Sequence, residues 1–191
     1  MPSPMISLVI RLTTGIDRVN LAVGRAIRWL VPLICVVTVV HGISRRVFSL
    51  ALNHVSESQW YMFAAIFMLG AGHTFLRDEH VRIDVLRNRF SDRVCDWIEI
   101  IGCLVCMVPI CAYLVHYTAG MFWISMLQNE GPPDVVVGLP RWVLIAFMPS
   151  GFLLLGAQCL SEGLKALLRR SGHPPPIVIA PGLDLTKREP S

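Results

Sequence analysis

Thirty consecutive residues, Ile100 to Asn129, contain no Asp, Glu, Lys or Arg, and this run restricts the possible folds more than any other feature. As one helix it would be about 45 Å long at 1.5 Å per residue. Crossing the hydrocarbon layer takes about 20 residues, and about 17 will serve, so one crossing fits with length to spare. Three other stretches are comparable. Trp29 to Phe48 is uncharged as far as Ser44 and then meets Arg45 and Arg46, while Trp60 to Leu76 and Trp142 to Ser161 carry no charge. Helices buried in a water-soluble core need a polar face to meet solvent, and these runs show none. They also lack the alternation over about ten residues that marks a barrel strand.

Composition agrees. AVILMFWYC make up 54% of the chain and DEKR only 16%, against about one quarter charged in soluble domains. That excludes an ordinary soluble domain, and so much apolar surface also excludes disorder. The expected fold is an all-α integral membrane protein. Its four-helix transmembrane domain covers residues 29–165, with spans at about 29–48, 59–76, 98–120 and 142–162. Pro109 lies inside the third run, where it removes one backbone bond and predicts a kink. That run either tilts strongly or ends near Gly120 and continues outside the bilayer. Glu130, Gly131, Pro132, Pro133 and Asp134 then stop any helix before Trp142.

Positive charge sets the orientation. Arg11, Arg18, Arg25 and Arg28 precede the first span; Arg77, Arg82, Arg87, Arg89 and Arg93 separate the second from the third; Lys165, Arg169, Arg170, Lys187 and Arg188 follow the fourth. Of the 17 Lys and Arg, this leaves only Arg45, Arg46 and Arg141 for the opposite side. Basic flanks stay cytoplasmic, so both termini and the middle loop are expected inside. No small-x-small cleavage site follows the first span, which therefore reads as a retained anchor.

Ahead of that span, Leu8, Leu12, Ile16, Val19, Val23 and Ile27 recur at helical spacing, with Arg11, Arg18 and Arg25 on another face. Residues 1–28 are therefore expected to form a cytoplasmic amphipathic helix lying at the membrane surface. The alternative is a plain extension of the first helix. Beyond Arg170 the chain turns to Ser171, Gly172, His173 and three prolines, and residues 166–191 are expected to be a mobile cytoplasmic tail.

Few side chains suggest chemistry. Cys103, Cys106 and Cys111 share one span, but buried cysteine is common as a packing residue, and no second pair faces them in sequence. His41, His73 and His116 would be candidate haem ligands, yet axial ligands must face each other at matching depth. By residue count these three lie at different depths. Glu57, Glu99, Glu130 and Glu162 all fall at span edges, whereas intramembrane acids are the usual mark of an ion or proton path. No phosphate-binding loop of the G-x-x-x-x-G-K type is present. No cofactor, metal or catalytic residue is expected, and no enzymatic activity. The remaining feature is the polar stretch Arg77-Asp78-Glu79-His80-Val81-Arg82-Ile83-Asp84-Val85, whose alternation from His80 onward suggests an extended segment docked on a partner.

Phe67-Met68-Leu69-Gly70-Ala71-Gly72, followed by Leu76-Arg77-Asp78-Glu79-His80-Val81-Arg82-Ile83-Asp84, resembles the small permease subunit of TRAP (tripartite ATP-independent periplasmic) transporters. Arg46-Val47-Phe48, Ser56-Glu57, Gly138-Leu139-Pro140-Arg141-Trp142 and Pro149-Ser150-Gly151-Phe152 add to the likeness, although Ser58 stands where that family has a second acid. The resemblance covers roughly residues 20–165. It implies a small membrane subunit supporting a large multi-span permease, while a periplasmic binding protein delivers an organic acid and an ion gradient drives uptake. Under it, Arg46, Glu57, Arg77, Glu79, His80, Arg82 and Asp84 are candidate subunit-interface residues, with Glu57 pairing with Arg46. Trp29, Trp60, Trp123 and Trp142 are candidate membrane-interface anchors. The implied location is the bacterial inner membrane, with membrane lipid as a further partner and no nucleic acid. Two other readings stay open at this point: a haem-bearing or redox-active membrane anchor, and a stand-alone structural tetraspan protein.

Overall fold

The computed structural model describes residues 4–48, 53–77, 92–128 and 140–170, which hold helices and no strand. Helix α1 covers Pro4–Phe48 and α2 covers Asn53–Leu76. Helix α3, Asp92–Ile100, passes through a π-helical turn, Ile101–Met107, into α4, Val108–Gln128, and α5 covers Arg141–Arg170. Three stretches are long and apolar enough to cross a membrane: Ile6–Val47, Trp97–Gln128 and Arg141–Arg170. Helix α2 is long but is not among them; Gln59, Tyr61 and His73 interrupt its apolar run. Several hydroxyls inside the apolar helices are satisfied locally. Thr13, Thr38, Thr118 and Ser150 each donate to the carbonyl four residues earlier, which removes the penalty of an unpaired group away from water.

The kink expected at Pro109 takes the form of a widened turn. Proline lacks a donor and crowds the carbonyl four residues before it. In the turn just ahead, the Val108 N–H instead donates to Cys103 O, a five-residue step, and a π-bulge of this kind lets the helix continue past the proline. The rod then runs unbroken through Gly120 to Gln128. At the other end of the chain, residues 4–28 do not form a separate surface helix. They join the first span in one 45-residue helix, the second of the two forms considered above. The reason is packing: Thr13, Asp17, Asn20, Gly24 and Ile27, at alternating three- and four-residue steps, are buried within the bundle, so this segment has tertiary contacts to hold it upright. Helix α5 likewise continues past residue 165 to Arg170, with Ala166 and Leu168 buried. The remainder of the expected tail lies outside the described residues.

Helices α1, α2 and α5 pack together, and α5 also packs along α3 and α4. Close backbone approaches set their register. A Cβ on Gly151 of α5 would stand 2.6 Å from Met68 O of α2, and one on Gly72 of α2 would stand 2.5 Å from Asn20 Oδ1 of α1 and 3.2 Å from Leu154 O of α5. A Cβ on Gly24 of α1 would overlap the His73 ring, and one on Gly156 of α5 would lie 2.9 Å from Cys111 Cβ of α4. Asn20, Gly24, Gly72, His73, Leu154 and Cys111 therefore lie near one level of the bundle. At the far end Tyr61 Oη donates to Pro140 O at 3.4 Å, and Phe122 meets Trp142 edge-on at 6.3 Å.

Glycine at position 151 is thus a steric requirement. Gly151→Ala should lower stability by about 1–3 kcal/mol through overpacking against backbone. Gly70→Ala, two residues from Gly72 on the other side of α2 and with open space around it, should be neutral or slightly stabilising through helix propensity. Thermal unfolding of both variants in mild detergent checks the contrast.

Candidate functional site

The largest fully buried side chains are polar. Gln158, Asn20, Thr13, Asp17 and Ser161 are all at least 99% buried, and four of them form one connected cluster with Lys165 and Glu162. Asp17 and Asn20 come from α1 one turn apart; Gln158, Ser161, Glu162 and Lys165 come from α5 at three-, four- and seven-residue steps. Helical spacing brings both sets onto facing stripes.

Each carboxylate oxygen of Asp17 has a role. Oδ2 meets Lys165 Nζ at 2.6 Å, while Oδ1 accepts from Gln158 Nε2 and from Ser161 Oγ, both at 3.0 Å. Lys165 also pairs with Glu162 Oε1 at 2.8 Å, and Gln158 Nε2 reaches the same oxygen at 3.2 Å. Asn20 Nδ2 donates to Gln158 Oε1 at 2.8 Å. Asn20 Oδ1 has no donor among the described residues and faces Gly72. Two carboxylates and one ammonium leave this cluster with a formal charge of −1. Charges out of water need partners of this kind, because an isolated one is very costly in a low dielectric.

A second link closes the same end. Arg169 Nη2 meets Glu99 Oε2 of α3 at 2.8 Å, and the Arg170 guanidinium sits 4.4 Å over the Trp97 ring. In the middle of the bundle Cys103, Cys111 and Cys159 are buried and form no disulfide. Among the described residues no group of three His, Cys, Asp or Glu is arranged to hold a metal ion. What this arrangement does chemically is bind helices together.

A family profile described as tripartite ATP-independent periplasmic transporters, DctQ component, matches residues 10–169. The chain belongs to this family. It is the small membrane subunit of a TRAP transporter, a transport component and not an enzyme. In TRAP systems a DctQ subunit works with a large permease subunit and a periplasmic binding protein. No curated protein and no solved structure matches the chain.

The DctQ chain separates several residues that sequence reasoning had grouped. Arg46 is exposed at the end of α1 and Glu57 is half-buried in the first turns of α2. The ion pairs of the described residues do not join them. Arg77 closes α2, half-buried, its N–H donating to His73 O. Glu79, His80, Arg82 and Asp84 lie outside the described residues. Trp60 and Trp123 are exposed near the ends of their helices and Trp142 packs against Phe122. Trp29, 75% exposed, is different: it lies five residues from Gly24, well inside the packed length of the bundle.

Acids at the edges of the apolar runs do not reveal the cluster around Asp17, which lies ahead of the first run. The signal was present, in Asp17 and Asn20 three apart and Gln158, Ser161 and Lys165 at matching steps. Removing Lys165 strands Asp17, whereas removing Asp17 leaves Lys165 paired with Glu162. Lys165→Met should destabilise the DctQ bundle by about 3–5 kcal/mol, Asp17→Leu should cost less, and the double variant should lose less than the sum of the two. A thermal double-mutant cycle on the detergent-solubilised subunit measures that coupling.

Proposed function

We propose that this DctQ subunit crosses the inner membrane four times with both termini cytoplasmic and braces the large permease during ion-gradient-driven uptake of an organic acid delivered by the periplasmic binding protein. The observation that carries this reading is the state of the buried polar groups. Asp17 and Glu162 share the Lys165 ammonium across α1 and α5, with Gln158, Ser161 and Asn20 bonded around them. A group that moves a solute or an ion has to release and rebind it, whereas these groups are occupied in holding helices. The distribution of Lys and Arg supports the orientation.

In this reading α2 is the second crossing, packed against α1 and α5. The outer residues Arg46 and Glu57 face the partner proteins independently of each other. Arg77, Glu79, His80, Arg82 and Asp84 anchor the cytoplasmic segment after α2 on the large permease. Trp60, Trp123 and Trp142 hold the bundle at the headgroup level, and Arg11, near the cytoplasmic end of α1, meets anionic lipid.

Replacing Glu79 and His80 together by alanine should abolish solute uptake in cells while the large permease is still produced. Normal uptake at normal expression would remove the docking role of this segment. Liposomes holding the DctQ subunit alone should show no solute flux above empty liposomes, and flux should return when the large permease and binding protein are supplied together with it.

A further inference from the structure

Along α1, Arg11, Arg18 and Arg25 recur every seven residues, and Trp29 follows Arg25 by one turn. All four are exposed, on the side of the helix opposite Thr13, Asp17, Asn20, Gly24 and Ile27. Arg28 is exposed as well, about a quarter-turn away. None of these arginines takes part in an ion pair of the described residues. By sequence they belong to the cytoplasmic flank of the first span; the helix register puts the upper ones elsewhere.

Arg25 adjoins Gly24, which abuts His73, and the neighbouring Gly72 abuts Leu154 O. On α5, Leu154 is eight residues from Glu162 and twelve from Trp142, or about 12 Å and about 18 Å at 1.5 Å per residue. On α4 the same level is marked by Cys111, which touches the position of Gly156 and lies eleven residues inside the charge-free run that starts at Ile100. That is about 16 Å by the same rise. At these levels α4 and α5 expose Val105, Ile110, Tyr113 and Leu153, which require hydrocarbon or another apolar surface around them. With α4 and α5 spanning the bilayer along their apolar runs, Arg25 lies near its mid-depth, and Arg28 and Trp29 lie a turn further out.

A guanidinium there is too far from either headgroup layer to reach it by snorkelling, and facing lipid tails it is strongly unfavourable. It needs oxygen acceptors at its own depth. Arg and Trp are also the side chains most enriched at the energetic centres of protein interfaces.

Resting on the reading of this chain as a subunit that binds a large permease, we propose that the α1 stripe of Arg18, Arg25 and Trp29, with Arg28 at its edge, is where that permease docks within the bilayer, its membrane-embedded carboxylate or carbonyl oxygens receiving the arginines. Arg18, level with Ser161 near the inner edge, is the cytoplasmic end of the docking stripe, and Arg25 is its desolvated centre.

The test uses the assembled transporter in native membranes. A photo-crosslinking amino acid at Ala22, exposed on this stripe between Arg18 and Arg25, should attach to the large permease. The double variant Arg25→Leu/Arg28→Leu should reduce the co-purified permease by at least about tenfold, the scale expected for losing desolvated charge contacts. Melting of the purified subunit itself should not fall, since both changes are on its outer face. If the unaltered chain brings down the permease and the double variant does so equally, with Ala22 attached only to lipid, this inference is overturned. If the unaltered chain brings down no permease at all, the reading of its role as a bracing subunit fails instead.

Discussion

The ammonium of Lys165, held between Asp17 at 2.6 Å and Glu162 at 2.8 Å, is the interaction on which the rest of the bundle depends. Helices in hydrocarbon gain little from burying apolar surface against one another, because lipid tails are equally apolar. Association then rests on close packing and on polar groups that have nowhere else to go. Asp17 has the Lys165 ammonium on one oxygen and two donors on the other, and each of these comes from α5. Moving α1 along α5 by one turn would strand a carboxylate, an ammonium and two amides together. The register of a 45-residue helix is thereby held at one point near one end.

Glycine carries that register across the remaining helices. Gly72 admits Asn20 and the Leu154 carbonyl, Gly24 admits the His73 ring, and Gly151 admits the Met68 backbone. Side chains at these places would push the rods apart and weaken dispersion contacts along their whole length. The π turn at Ile101–Met107 belongs to the same scheme. It carries a long helix past Pro109 without breaking it, so that Leu104 can reach Gly163 and Cys111 can reach Gly156 on the same side of the rod. A bundle fastened in this way is suited to a fixed part of a transporter, against which a moving part can work. Its arginine-bearing outer face then has a purpose that a free-standing bundle would not require.

Much of this was legible in the residues. Charge-poor runs of about 17 residues or more call for helices in a bilayer, and among the described residues three helices are long and apolar enough to cross one; the motifs around Gly70–Gly72 and Arg77–Asp84 marked the family that the profile over residues 10–169 establishes. Hydropathy is a local property, so helix type and the most apolar spans follow from composition within short windows. Helix α2 was less decided by hydropathy, since Gln59, Tyr61 and His73 interrupt its apolar run.

Register is another matter, because it depends on which atoms of two distant segments meet. Residues 13–27 read as an amphipathic surface helix when only their own periodicity is considered. Placed against α2 and α5, the same periodicity becomes a packing face, with Asp17 paired 148 positions away in the chain to Lys165. Arg25 changes meaning in the same way, from a flanking cytoplasmic charge to a charge level with Leu154 and Cys111. One-dimensional patterns specify that a helix forms and which side is greasy; depth and partnership come from long-range contacts, whose energies no local window contains.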